Sequence, residues 1–163
     1  MAGRSVSFMV FVAFLVFAHL VLHVALGYGA GAPDLMAVAV LLAARRLTPP
    51  HAALLGLALG LLADALALTS FGATAVALVA VGWAGARTRD LFEGGSYGFT
   101  LAYLFLGKWL ADAIYLLVSP VARAASVHAA LVTALPFYAL ITAATGVFAL
   151  AAYRLSVGAR YAR

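Results

Sequence analysis

Cysteine is absent from this 163-residue chain, and charge is scarce: ten basic and five acidic side chains make up 9% of its residues. The first absence excludes disulfides, thiolate metal sites and a cysteine nucleophile. The second excludes an ordinary soluble domain, in which about a quarter of the residues are charged and roughly half are apolar. Here 67% are apolar, with a mean hydropathy of +1.13. A concentrated basic face is missing too. The net charge of +5 is scattered as loop pairs and a tail, which argues against nucleic acid as a partner. There is no P-loop, and the few serines are not placed with His and Asp for nucleophilic catalysis. The expectation is a protein that is not an enzyme and holds no cofactor.

What the chain does have is six apolar stretches. At about 20 residues per span, its length leaves room for five or six membrane helices and no separate soluble domain. The expected fold is an all-α integral membrane protein of one domain. Its six transmembrane helices fall at about residues 6–26, 33–46, 51–68, 71–86, 98–118 and 130–153. The first stretch is longer than a signal-peptide core and ends without a clear cleavage pattern, so it reads as a retained helix. A glycine-rich turn, Gly27 to Gly31, leads to Pro33-Asp34-Leu35, where an early proline and a first-turn carboxylate favour a helix start. This second helix is short and stops at Arg45-Arg46. Pro49-Pro50 opens the third, and Thr69-Ser70-Phe71-Gly72 is a minimal turn into the fourth. The longest polar loop, Arg87 to Tyr97, carries Asp90 and Glu93. A break at Ser119-Pro120 precedes the last helix, in which Pro136 is expected to make a kink.

Six crossings place Arg4, Arg45, Arg46, Arg87, Arg89, Arg154, Arg160 and Arg163 on one side, against Arg123 alone on the other. Basic loops stay in the cytoplasm, so both termini are expected there.

Only Asp64, Lys108 and Asp112 are ionisable and deep within the apolar stretches. A charge at the centre of a membrane helix costs roughly 2.5–3.5 kcal/mol, so such residues pair, line cavities or hold helices together. Lys108 and Asp112 are i,i+4 neighbours, and Asp64 lies at a depth from which it can join them across a helix interface. Two readings stand: an ion pair fixing the register of the third and fifth helices, or a polar ligand pocket or ion path. His19 and His23 share a face near the outer end of the first helix. With no Glu in an H-E-x-x-H pattern they read as hydrogen-bonded or interfacial residues, and no metal site is expected. His51 and His128 read as helix-boundary residues. Together with Asp34, His19, His23 and the three deep charges project to the midplane or the outer half, while the inner half of the helices has no ionisable residue. A polar pocket open to the outside accounts for that asymmetry.

In the third helix Ala52, Gly56, Gly60 and Asp64 recur every four residues on one face. Such a small-xxx-small stripe lets another backbone approach closely, either within the bundle or from a partner protein.

Pro33-Asp34-Leu35, the Arg45-Arg46 stop, and the run from Leu54 through Gly56 and Gly60 to Asp64, followed by Phe71-Gly72, together resemble the bacterial rod-shape-determining MreD family. Length and six-span layout are similar across nearly the whole chain, with the recognisable part between Pro33 and Gly72. The resemblance implies a non-enzymatic inner-membrane scaffold of the cell-elongation machinery. Relatives bind MreC, a single-span protein, and connect MreB filaments to the peptidoglycan transpeptidase and glycosyltransferase. The family is also similar in fold to the substrate-binding subunits of energy-coupling-factor vitamin transporters, which implies a second possibility. Lys108 and Asp112 belong to no motif of the family.

Overall fold

The computed structural model describes residues 2–25, 32–67, 71–92, 96–119 and 130–161. The turn at 27–31, Thr69-Ser70, Glu93, and the connection holding Arg123 and His128 lie outside these residues, as does Arg163. Among the described residues every element is helical: α1 (Ala2–Leu20), α2 (Leu35–Ala44), α3 (Pro49–Ala67), α4 (Ala73–Thr88), α5 (Tyr97–Val118) and α6 (Leu135–Tyr161). Four of them, α1, α3, α5 and α6, are long and apolar enough to cross a membrane. The protein is a membrane-embedded, multi-pass helical bundle.

The helices alternate in direction. Arg46 stacks on Phe8 near the start of α1, with the guanidinium 3.6 Å from the ring centre. Arg45 donates to Thr100 Oγ1 at 3.1 Å, Arg89 reaches the Leu47 carbonyl at 3.3 Å, and Arg154 lies over Tyr97. The start of α1, the end of α2, the end of α4, the start of α5 and the late part of α6 therefore meet at one end, where these arginines collect. Tyr153 of α6 stacks on Phe11 of α1 with ring centres 4.6 Å apart, tying the first and last helices together.

The core is built around α2. Its sequence, LMAVAVLLAA, is apolar on every side, and such a helix has no face to offer water. All ten of its residues are buried, in contact with each of the other five helices. Its length is about 15 Å at 1.5 Å per residue, half the hydrocarbon thickness of a bilayer. Because its neighbours cover it, α2 need not match the bilayer by itself. The lipid-suited surface lies on the outer helices, as on α1, where Val6, Val10, Phe14 and Phe17 form an exposed apolar stripe.

The glycine stripe of α3 is spent inside the bundle. A Cβ on Gly56 would collide with the carbonyl of Leu78, and one on Gly60 with the backbone of Ala75. Gly82 of α4 answers from the other side, since its Cβ would lie 2.6 Å from the Ala52 carbonyl oxygen. The two antiparallel helices thus touch backbone to backbone between Ala52 and Gly60 of α3 and between Thr74 and Gly82 of α4, and α4 occupies the face on which a partner helix was the alternative. Pro136 stands in the first turn of α6, directly after a π-helical turn at Ala130–Ala134 that runs into it without a break. A proline offers no N–H to the preceding turn, and the wide turn before it is the local irregularity that goes with the missing donor.

Candidate functional site: a polar network at the end opposite the arginines

Asp34 precedes α2 and caps it, its Oδ1 accepting from the Ala37 N–H at 3.0 Å. Pro33 sets the approach, and the helix N-terminus favours the negative charge. The other carboxylate oxygen, Oδ2, accepts from Lys108 Nζ at 2.8 Å. Lys108 also donates to Asp112 Oδ1 at 2.6 Å, one turn further along α5. A single ammonium therefore bridges two carboxylates and pins the start of α2 to the middle of α5. Thr142 of α6 joins by accepting the Asp34 backbone N–H at 3.1 Å.

His19 closes the network from α1. Its Nδ1 accepts from the Met36 N–H at 3.4 Å and lies 3.5 Å from Asp34 Oδ1. His23 stacks on His19 with ring centres 4.0 Å apart and donates from Nδ1 to the His19 carbonyl at 3.3 Å. The turn that brings the two rings together is the π-helical end of the first helix, Val21–Ala25.

Asp64 does something else. Its carboxylate accepts three backbone N–H groups, from Gly72 at 2.9 Å, Thr74 at 3.2 Å and Ala75 at 3.1 Å. These are the bare donors at the start of α4, whose own cap residue, Gly72, has no side chain to offer. Gly72 adopts a left-handed φ of 94°, a conformation glycine takes without strain. Asp64, only 3% exposed, is thus a cap supplied from the neighbouring helix. Among the described residues no hydrogen bond or ion pair joins it to Lys108. Asp34 holds the place across the helix interface that the deep-charge reading offers to Asp64. His51 is at a boundary, as expected, 2.6 Å from Thr48 Oγ1.

Above the network lies a cavity of about 580 Å³. Its polar wall is formed by His19, His23, Asp34, Lys108 and Asp112, and its apolar wall includes Leu20, Leu66, Leu78, Leu116 and Leu135. Tyr115 and Tyr138 also line it. Sequence patterns single out neither tyrosine, nor Thr142, because neutral residues on apolar helices carry no periodic signal. Among the described residues no group of three or more metal-ligating side chains occurs. The described residues of the site hold charge and offer hydrogen bonds. Comparison with known proteins finds no matching family model, curated protein or solved structure.

Proposed function

We propose that this chain is a non-enzymatic scaffold subunit of the bacterial cell-elongation machinery, of the MreD type. It resides in the inner membrane, binds the single transmembrane helix of an MreC-like partner, and helps couple MreB to peptidoglycan synthesis. One observation carries the reading: the residues behind the MreD resemblance are those that frame the bundle. Asp34 caps the core helix, Gly56 and Gly60 permit the α3–α4 contact, and Asp64 caps α4 beside Gly72. They act as architecture, which suits a protein that works by being held against others.

In this reading the arginine-bearing end faces the cytoplasm, with six crossings, both termini inside, and α2 completed by its flanks. The described connections between helices are short, so partners are recognised through helix faces within the bilayer, outside the occupied Gly56/Gly60 stripe. The cavity favours a second reading, the substrate-binding subunit of an energy-coupling-factor vitamin transporter.

Affinity purification from native membranes with mass-spectrometric identification separates the two. The scaffold reading expects a single-span protein with an extracytoplasmic domain to copurify in fixed ratio. Copurification of ATPase subunits, or a vitamin retained through purification, would replace it with the second.

A further inference from the structure

The cavity has a charge balance that specifies what enters it. Its polar wall carries two carboxylates, Asp34 and Asp112, and one ammonium, Lys108. His19 accepts the Met36 N–H at Nδ1. Asp34 is fully engaged, between the Ala37 N–H and Lys108. Asp112 is not: Lys108 takes Oδ1, and among the described residues no hydrogen bond reaches Oδ2. Its side chain is 22% exposed. Among the described lining residues the carboxylates outnumber the ammonium by one, and Asp112 Oδ2 is the carboxylate oxygen left to take a ligand.

An inorganic cation would satisfy the charge but leave most of a 580 Å³ cavity and its leucine wall in water. Ligand pockets of about 300–1,000 Å³ take organic molecules whose apolar bodies cover such walls. Tyr115 and Tyr138 also line the cavity, and aromatic rings attract organic cations. We propose that this cavity binds an organic ammonium with an apolar body, its cationic head on Asp112 Oδ2 and its body against Leu66, Leu116 and Leu135. The proposal goes beyond the scaffold role and does not depend on it. The ammonium has two sources, a soluble amine or the headgroup of an aminophospholipid.

Two arms test it. In the first, n-butylammonium chloride is titrated into the detergent-purified protein, with 1-butanol as the uncharged match. Saturable thermal stabilisation by the ammonium alone is expected, with at least tenfold weaker binding in Asp112→Asn. In the second, protein in nanodiscs of phosphatidylethanolamine and phosphatidylglycerol is examined by native mass spectrometry. Selective retention of phosphatidylethanolamine, lost in Asp112→Asn, assigns the lipid source. Should Asp112→Asn fail to fold, Ala134→Trp keeps every charge while filling the cavity, and it should abolish binding in whichever arm was positive. Equal responses to butylammonium and butanol together with no lipid preference would overturn the proposal, as would binding unaffected by the folded variant. Partner copurification is a separate readout, so neither result decides the scaffold reading.

Discussion

Replacing Lys108 with leucine should cost about 3–5 kcal/mol of stability, the range found when one member of a buried ion pair is removed. The side chain is 11% exposed and holds two carboxylates, at 2.8 and 2.6 Å. Without it Asp34 and Asp112 face each other with no cation between them. Adding Asp112→Leu should restore part of the loss, because one of the two orphaned charges goes with it. Recovery stays incomplete, since Asp34 remains, though it keeps the Ala37 N–H and the end of α2. Reversible unfolding in mixed micelles would measure this. A coupling of about 0.5–3 kcal/mol is expected for residues in direct contact. A double variant no more stable than Lys108→Leu would show that the pair is not coupled. Asp64→Asn, outside the network, should leave the coupling unchanged.

The second large effect is expected at the α3–α4 contact. Leucine at both Gly56 and Gly60 should prevent the two helices from closing. Even a Cβ at either position meets the backbone of α4, which cannot rotate away as a side chain can. Overpacking of this kind costs about 1–3 kcal/mol per site and more where backbone blocks relaxation. The double variant should lose its thermal transition or fail to purify as a single species. Gly98→Ala is the control, since its Cβ would find only Ser96 Oγ at 3.5 Å, an ordinary contact. A glycine double variant with unchanged stability but lost partner binding would place the stripe at an interface instead.

The helical class and the approximate helix positions were legible because long apolar runs have few alternatives. The Asp34 helix start was legible from Pro33-Asp34, and the i,i+4 pairing of Lys108 with Asp112 from their spacing. What periodicity cannot give is which faces of distant helices meet. Asp34 and Lys108 are 74 residues apart, and nothing local marks either as the other's partner. Asp64 was misplaced because depth alone made it look like a member of the charge cluster. A usable signal was present: a carboxylate near a helix end, with a glycine eight residues later opening a helix that has no polar cap.

The polar cavity is expected to open on the side of the membrane opposite the arginines. The absence of native cysteine makes it directly testable, because each introduced cysteine is the only one. Ala134→Cys sits at the cavity and Thr48→Cys at the arginine end, both at exposed positions. In intact cells a membrane-impermeant maleimide should label Ala134→Cys at once, and Thr48→Cys only after the membrane is opened. Labelling of both from outside, or of Thr48→Cys alone, would contradict the account.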